Sequence, residues 1–450
     1  MASDMQAIQD WLKQHNISEV ECLVPDITGN ARGKFIPAQQ FLSEDDARLP
    51  ESILIQSVTG EYSDNHWDFV IPTDADMGLK PDASTLRLVP WAREPTAQII
   101  HDCYNMADGS PHLLSTRNVL RKILDLYTAE GLRPVIAPEM EFYLVARNID
   151  PNNALEPPIG RSGRSETSRQ SYSMDAVNEF EDFVEDMYAY AEAQELDVDT
   201  LIHENGAAQM EINFLHGDPM SLADQVFAFK RTVRETAHKY NIYATFMAKP
   251  MEEEPGSAMH IHQSIVRIDN GENIFADENG EHTAEFMSYI AGLQRYTPEL
   301  ISLYAPNVNS YRRLAPDIAA PINLNWGFDN RMAAFRVPNS NRAGTRVENR
   351  FPGADVNPYL AIAATLASGY LGMKNKLTPT KPQEGIASED SIEVARTLEE
   401  GLRHLQDSPD LVEIFGSLFL RAYSAVKLDE FEEFNRVISS WEREHLLLQV

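Results

Sequence analysis

Four short segments of this 450-residue chain carry charged side chains whose spacing suits the binding of cations and phosphate. In three of them, 137–142, 256–262 and 346–350, the chemically active residues recur at every second position. Residues at i and i+2 of a β-strand project from the same face of a sheet. If these segments are strands, their shared faces present Glu139, Glu141, His260, His262, Arg346, Glu348 and Arg350. Carboxylates, imidazoles and guanidiniums together can hold divalent cations and phosphate.

The glutamates also allow simpler interpretations. Glu139 and Glu141 lie in an apolar run, 135–145, and two carboxylates on one strand face repel each other unless a cation or an arginine lies between them. The alternative is a solvent-facing stripe on a half-buried strand. In the fourth segment, Glu204 and Glu211 bracket an Asn-Gly pair, which by itself marks only a turn between extended segments.

The histidine pair and the arginine-rich segment have alternatives of their own. His260 and His262 are typical of metal or phosphate contacts, although a buried histidine can equally be a satisfied core residue. Residues 331–350 contain five arginines, which would be costly to bury without anionic partners. Arginine pairs bidentately with phosphate and carboxylate, so we interpret the segment as a clamp for both, with structural salt bridges as the alternative. The chain has no Walker A motif and no Gly-x-Gly-x-x-Gly, so a P-loop is not expected.

The composition limits the class of partner. The net charge is −31, from 38 basic and 69 acidic side chains, which argues against nucleic acid or an anionic membrane as a partner. Two cysteines, Cys22 and Cys103, cannot form a disulfide framework, which fits a reducing compartment. The sequence shows no signal-peptide pattern at Met1 and no run of 18 apolar residues. We therefore expect a soluble, cytoplasmic protein.

The hydrophobic pattern predicts an α+β protein with a mainly antiparallel sheet, because strands do not alternate regularly with helices. We place the domain boundary near residue 106, which divides the chain into a small β-rich domain, 1–105, and a larger domain, 106–450. Strands carrying the motifs lie between the helices of the larger domain. The expected helices span 116–130, 174–194, 222–240, 282–296, 358–373, 394–408 and 409–444, the last in more than one piece.

Taken in order, these segments closely resemble those of the glutamine synthetase family, and the resemblance is strongest from about 134 to 373. The stretches 245–250 and 305–313 are especially similar to the γ-glutamylpolyamine synthetase branch. The resemblance implies a β-rich N-terminal domain and a catalytic domain with flanking helices. It also implies a homo-oligomer, usually a dodecamer of two hexameric rings, with active sites at subunit interfaces; a decamer remains an alternative.

The same resemblance implies roles for individual residues and two cofactors, ATP and Mg²⁺ or Mn²⁺, with two or three cations in each active site. The first cation would be held by Glu141, Glu204 and Glu211, and the second by Glu139, His260 and Glu348. The positions that would contact the nucleotide are His262, Ser264, Arg336 and Arg346. Arg331 and Arg313 would act in catalysis, Arg331 facing the transferred phosphate. Glutamate would be bound by Gly256, Arg313 and Arg350.

The departures from the family pattern concern the amine. In the stretch 313–321, Ala319 stands where ammonia-using members carry a glutamate that closes over the ammonium ion, and Asp317 lies two residues earlier. The N-terminal Asp-Gly-Ser-Ser segment is also missing, and the nearest region is 51–58. Losing two carboxylates removes the electrostatic basis for capturing ammonium. We therefore expect an ATP-dependent ligase that joins the γ-carboxylate of glutamate, through γ-glutamyl phosphate, to an organic amine, a polyamine such as putrescine.

Three residues are candidates for contacting that amine, and two other functions remain open. Glu61 and Asp64 would hold a distal ammonium, and Trp326 would cover the methylenes or bind a monoamine. The first alternative function is a glutamine synthetase that uses ammonia through other residues. The second is a glutamine-synthetase-like structural or regulatory protein without turnover, against which the intact metal positions speak.

Overall fold

The computed structural model describes most of the chain, namely residues 2–43, 47–167, 169–315, 320–385 and 393–450. Asp317 and Ala319, which entered the argument about the amine, lie outside these residues. The strands are β1 (Glu19–Pro25), β2 (Ala31–Pro37), β3 (Ala47–Pro50), β4 (Asp76–Pro81), β5 (Arg87–Leu88), β6 (Thr96–Tyr104), β7 (Leu132–Ala146), β8 (Val198–His203), β9 (Gln209–Phe214), β10 (Ile242–Thr245), β11 (Met259–Arg267), β12 (Trp326–Phe328), β13 (Phe335–Val337) and β14 (Val347–Asn349). The helices are α1 (Ala2–Gln14), α2 (Ala38–Ser43), α3 (Thr116–Ala129), α4 (Met174–Asn178), α5 (Glu181–Ala193), α6 (Pro219–Lys239), α7 (Ala284–Tyr304), α8 (Ser310–Arg313), α9 (Pro358–Lys374), α10 (Leu398–Gln406), α11 (Pro409–Phe415), α12 (Ser417–Asn435) and α13 (Ser440–Leu446).

The first sheet is built from the N-terminal strands. In the described part of the chain it has six strands in the order β2-β1-β6-β4-β3, with β5 paired to β6. Only β1 and β6 run parallel to each other within it. One face is covered by α1, whose Ile8 and Leu12 pack with Val20 and Ile99 in a small separate core. The amphipathic pattern of α1 is thus used to close this sheet.

The second sheet carries the motif segments and has the order β12-β13-β14-β11-β7-β9-β8, with β10 also paired to β7. All of its described pairs are antiparallel except β12 with β13. The central strand β7 is 15 residues long and contacts β11, β9 and β10. Because it pairs along both edges, β7 fixes the relative register of the segments that hold the motifs.

The helices α3 and α6 pack against β7 of this sheet, and α9 lies against α3, α6 and α7. Every residue from Pro358 to Gly372 is buried, as expected for a helix that is apolar on all sides. It lies against α7 at unusually close range, because a Cβ on Gly292 would lie 2.2 Å from the Ser368 carbonyl oxygen. Glycine is required at this crossing because any side chain there would separate the two helices.

Most predicted elements are confirmed, including the α+β class and the mainly antiparallel sheet, but some boundaries differ. The helix expected over 174–194 is broken into α4 and α5, because the Glu179 carbonyl accepts the Arg161 N–H instead of continuing the helical ladder. The helix expected from 394 begins only at Leu398. The division at 105/106 stays a prediction. Cys22 and Cys103 are both buried. Among the described helices, none combines the length and apolar character needed to span a membrane.

A buried arginine connects the first sheet to the helices of the large domain. Arg117 of α3 donates to both oxygens of Asp224 in α6, at 2.9 and 2.7 Å, and to Asp82 at 2.6 Å. A further bond reaches Asp102 in β6. Burial lowers the pKa of Arg117, but the charge of Asp224 outweighs this and the pKa lies above its usual range. Tyr359 of α9 also donates to Asp224, at 2.7 Å.

We expect Arg117→Ala to lower the free energy of unfolding by about 3–5 kcal/mol, because it leaves buried carboxylates without their partner. Urea unfolding followed by circular dichroism would measure the loss. Arg121→Ala is the matched control, since this neighbouring arginine also pairs with Asp102 but is 35% exposed. An exposed pair of this kind contributes about 1 kcal/mol or less. Equal losses in the two variants would contradict the importance of burial.

Candidate active site

The sheet register brings the charged motifs face to face. The strand β7 has β11 on one edge and β9 on the other, and β14 pairs with the far side of β11. Directly opposed residues in antiparallel strands have their side chains about 5 Å apart on the same face. The opposed pairs are Glu139 with His260, Glu141 with Glu211, and His262 with Glu348. The shared face predicted from the spacing of two is therefore present in the structure.

Two overlapping groups of potential metal ligands result from this register. One contains Glu139, His260 and Glu348, and the other contains Glu141, Glu211 and His260, with the ligand atoms of each group within 4.8 Å of one another. The first group coincides with the predicted second cation set. In the other group His260 takes the place expected for Glu204, which lines the same cavity without joining the group. The assignment of cations to these residues stays a prediction.

Glu139 belongs to the lining of two cavities. The first, of about 430 Å³, is lined by most of the metal-ligand positions together with predicted substrate and phosphate residues, namely Glu139, Glu141, Glu204, Glu211, His260, Gly256, Arg313, Arg331, Arg336 and Arg350. The second, of about 470 Å³, is lined by Glu139 and by His262, Ser264 and Arg346, the other predicted nucleotide contacts. Glu348 is buried and belongs to the lining of neither cavity in the described structure.

The carboxylates on one side of the first cavity are crowded. Burial, followed by the charge of Glu204, raises the pKa of Glu141 to about 8. Burial and the neighbouring glutamates, with Glu139 first among them, raise the pKa of Glu211 to about 10. The pKa of Glu204 is also raised, chiefly by burial. A divalent cation would favour the charged forms that crowding disfavours, so this donor set fits a hard cation that prefers oxygen ligands.

The other side of the cavity is already neutralised by the protein. Burial opposes the charge of Glu139, but hydrogen bonds with His260 and His262 at 3.3 and 2.9 Å outweigh it and hold its pKa below the usual range. Burial likewise opposes the charge of Glu348, and Arg350 and His260 lower its pKa to about 2. The two oxygens of Glu348 accept from Arg350 at 2.6 Å and from Arg336 at 2.8 Å.

The residues predicted to bind glutamate form one wall of the first cavity. Arg313 is buried and donates to the carbonyls of Phe351 and Arg350, at 2.8 and 2.9 Å, so its guanidinium braces the segment that carries Arg350. Burial lowers the pKa of Arg313 to about 10. A Cβ on Gly256 would lie 2.7 Å from both the Ala248 carbonyl oxygen and Arg313 Cγ, so only glycine allows this approach.

Sequence reasoning missed several residues that line the first cavity. Gln209 Nε2 donates to Glu141 Oε2 at 3.1 Å and to the Gly256 carbonyl at 3.0 Å, connecting the metal side to the glutamate side. Asn213 lines both cavities. Both lie two positions from Glu211 on β9, so the rule that identified the other motifs would have found them. Tyr172 also lines the cavity, but its loop carries no periodic signal.

The three candidate amine contacts fare differently. The prediction for Trp326 is wrong, because its side chain is 2% exposed and its indole N–H donates to the Thr380 carbonyl at 2.8 Å. Glu61 and Asp64 are exposed, and in the described chain they lie outside the lining of both cavities. Their contribution to a neighbouring subunit's site stays a prediction.

The two cavities bring carboxylates and imidazoles close to arginines. Such a lining suits metal-dependent group transfer between anionic substrates. The family model "Glutamine synthetase, catalytic domain" matches residues 113–446. The chain belongs to the glutamine synthetase family, and its predicted class, a carbon–nitrogen ligase that joins glutamate to an amine, is confirmed.

Characterised relatives match almost the whole chain. It is 35% identical to the glutamate–isopropylamine ligase of Pseudomonas sp., covering 97% of this chain and 96% of that one. It is 34% identical to the γ-glutamylputrescine synthetase PuuA of Escherichia coli K12, covering 98% and 94%. A glutamine synthetase of Methanocaldococcus jannaschii is 33% identical over 98% of each chain. The solved structure of GmaS with ADP shares the fold, with a TM-score of 0.85 at 24% identity over 97% of this chain and 98% of that one.

The thermal stabilisation by Mn²⁺ should be larger at about pH 8 than at about pH 5.5, because protons compete with the cation for Glu141 and Glu211. Because the pKa values of Glu141 and Glu211 are raised above the usual 4.5, the metal-free folded protein binds more protons than the unfolded chain. The stability contributed by those protons is lost as the pH rises from about 4.5 through the raised values. Melting temperatures with Mn²⁺ and with EDTA at both pH values would measure the difference.

Glu211→Gln is the control for this experiment, because it removes one of the two titrating carboxylates while keeping the shape of the side chain. We expect the variant to show a smaller stabilisation by Mn²⁺ with a weaker dependence on pH. A stabilisation of the native protein that is equal at both pH values would contradict the crowding of these carboxylates.

Proposed function

We propose that this protein uses ATP to join the γ-carboxylate of L-glutamate to an organic primary amine through γ-glutamyl phosphate, with a polyamine such as putrescine as the preferred amine. The observation that carries the proposal is the meeting of the two cavities at Glu139. A nucleotide in one and glutamate in the other would have their reacting groups near one another, which supplies much of the catalysis in phosphoryl transfer.

The cations would be held by the crowded carboxylates and their neighbours. We assign one to Glu141, Glu204 and Glu211, and another to Glu139, His260 and Glu348. When bound, Mg²⁺ or Mn²⁺ supplies positive charge that neutralises the phosphates and the carboxylates around them. His260 belongs to both groups of potential ligands, and burial and the charge of Arg350 lower its pKa, which keeps the imidazole neutral and able to coordinate.

The arginines and the second cavity would hold the nucleotide. His262, Ser264 and Arg346 line the 470 Å³ cavity, and Arg346 Nε lies 3.2 Å from His262 Nδ1, so the imidazole and the guanidinium are held side by side. Arg331 and Arg336 line the first cavity, where they would stabilise charge on the transferred phosphoryl group. No base that deprotonates the amine is assigned.

Glutamate would bind against the wall formed by Gly256, Arg313 and Arg350. Arg350 donates one hydrogen bond to Glu348 and lines the first cavity, so it combines a fixed position with access to a substrate carboxylate. A guanidinium pairs bidentately with a carboxylate, which orients glutamate as well as binding it. Arg313 would act mainly by bracing Arg350 through its carbonyl.

The choice of an organic amine is supported by the missing ammonium carboxylates and by two relatives named for such substrates, isopropylamine and putrescine. The net charge of −31 favours the polyamine, because an acidic surface concentrates polycations near the site. Glu61 and Asp64 remain our candidates for a distal ammonium.

The assembly and location are part of the same proposal. We propose a dodecamer of two hexameric rings in the cytoplasm, with each site completed by a neighbouring N-terminal domain. In support, the described C-terminal segment exposes a run of apolar side chains that a monomer would leave in water, including Val437, Ile438, Trp441, Leu447 and Leu448.

We expect Arg350→Lys to weaken the use of glutamate by about 1.5–3 kcal/mol, because an ammonium cannot reproduce a bidentate pair with a carboxylate. The change should be read as kcat/KM for glutamate at saturating ATP and amine. Arg342→Lys is the matched control. Arg342 belongs to the same segment, but it pairs with Glu272 at 3.6 Å and does not line the first cavity. An unchanged glutamate dependence in Arg350→Lys would remove this residue from the glutamate site.

The proposed function is tested by phosphate release with ATP, Mg²⁺ and glutamate, comparing putrescine, isopropylamine and ammonium. We expect putrescine to give the highest kcat/KM, and Glu141→Gln to abolish release with every amine. A higher value for isopropylamine would keep the ligase but reject the polyamine. A higher value for ammonium than for either organic amine would replace the proposal with glutamine synthesis.

A further inference from the structure

The turn between β8 and β9 separates two of the proposed cation ligands, Glu204 and Glu211. It is closed by Gln209, whose N–H donates to the Gly206 carbonyl at 3.0 Å and whose side-chain oxygen accepts the Gly206 N–H at 2.9 Å. Its residues, Asn205-Gly-Ala-Ala, include Ala208 with a positive φ of 57°, a conformation that residues other than glycine rarely adopt. Gly206 lies against the Tyr143 hydroxyl, where a Cβ would come within 1.9 Å of the oxygen. The N–H groups of Ala207 and Ala208 are bound by carboxylates from outside the turn.

Glu166 holds both ends of this turn. Its Oε2 accepts the Ala208 N–H at 2.7 Å and lies 3.0 Å from His203 Nε2. The other ring nitrogen of His203 donates to the Glu204 carbonyl at 2.7 Å. One carboxylate oxygen is therefore connected directly to the last residue of the turn, Ala208, and through a buried imidazole to Glu204. In the described structure Glu166 Oε1 is buried without a hydrogen-bond partner, so the contacts of this carboxylate with the turn are made by Oε2.

Glu254 holds the middle of the same turn. Its Oε2 accepts the Ala207 N–H at 3.0 Å. Glu254 lies two residues before Gly256, in a segment anchored by the Tyr143 hydroxyl, which donates to the Pro255 carbonyl at 2.8 Å. Consecutive backbone N–H groups of one turn are thus bound by carboxylates from two segments that are far apart in the chain.

Each of these segments also lines the first cavity. Tyr172, six residues after Glu166, donates its N–H to the His203 carbonyl at 2.8 Å and lines the cavity. The segment of Glu254 continues to Gly256 on the glutamate wall. The turn that joins Glu204 to Glu211 is therefore the common attachment point of two walls of the cavity.

We propose that Glu166 and Glu254 form a carboxylate clasp on this turn, in which Glu166 positions Glu204 and Glu211 and Glu254 ties the glutamate wall of the cavity to them. Both are positioning residues, because they act through the turn and do not touch the cation. The inference rests on the proposed function only in that Glu204 and Glu211 hold a cation. Because hydrogen bonds behind metal ligands fix the geometry of those ligands, losing Glu166 weakens cation binding, whereas losing Glu254 acts mainly on the glutamate wall.

The test measures Mn²⁺ binding to the full-length protein without nucleotide or substrates, by electron paramagnetic resonance of free Mn²⁺. We expect Glu166→Ala to lower the affinity of the site by about 10–100-fold, the usual effect of removing a partner behind a metal ligand. Glu166→Gln keeps one acceptor oxygen and should fall between this variant and the native protein. Glu254→Gln should leave Mn²⁺ affinity within about threefold and raise KM for glutamate more than it changes kcat.

Glu179→Gln is the matched control. Glu179 Oε2 accepts the Ser162 N–H at 3.0 Å on the same segment as Glu166, but it is partly exposed and makes no described contact with the turn. We expect native Mn²⁺ affinity and native kinetics in this variant. Circular dichroism and melting temperatures in EDTA would show whether each variant keeps the fold of the metal-free protein.

Native Mn²⁺ affinity in Glu166→Ala would overturn the clasp. A loss of Mn²⁺ affinity in Glu166→Gln would also count against it if Glu179→Gln lost as much, or if Glu166→Gln lost stability in EDTA. The clasp and the proposed function fail separately. If the native protein binds Mn²⁺ through Glu211 but releases no phosphate with any amine, the ligase assignment fails while the clasp can still be confirmed. If phosphate release is normal and Glu166 has no effect on Mn²⁺, only the clasp fails.

Discussion

Repulsion between carboxylates in a cavity partly withdrawn from water is the constraint on which the rest of this structure depends. Five glutamates converge on one face of the second sheet, and at low dielectric they cannot all be ionised without compensation. The protein compensates Glu139 and Glu348 itself, with histidines and arginines that lower their pKa values. At Glu141 and Glu211 burial and the neighbouring glutamates outweigh the groups that favour the charged form, and the pKa values are raised. The cavity therefore has one half neutralised by the chain and one half suited to positive charge from outside.

Holding like charges together requires a rigid support, and the fold supplies it at several distances from the site. The strand β7 fixes the register of its neighbours along both edges. Behind the sheet, α7 and α9 approach closely at Gly292, which leaves little room for the core to relax. Further away, Arg117 connects the first sheet to three helices of the large domain through buried hydrogen bonds. Each device restricts motion that would let the carboxylates separate.

The ligase chemistry does not by itself determine which amine is preferred. The chain is almost equally identical to relatives named for isopropylamine and for putrescine, at 35% and 34%. Overall similarity therefore does not decide between a hydrophobic monoamine and a polyamine. An aromatic and an aliphatic residue, Tyr172 and Ile202, also line the first cavity. The carboxylates and arginines of the interior are compatible with either amine.

From the sequence by itself, the family followed from the resemblance of the motif segments, and the fold class followed from the hydrophobic pattern. The paired metal-type residues could be identified because a period of two in an apolar strand specifies which side chains share a face. The same rule applied to β9 would also have identified Gln209 and Asn213. Only the tertiary structure decided that Trp326 is buried, that His260 belongs to both ligand groups and that Glu166 and Glu254 bind one turn. These facts depend on contacts between segments far apart in the chain. Such contacts leave no periodic trace in either segment.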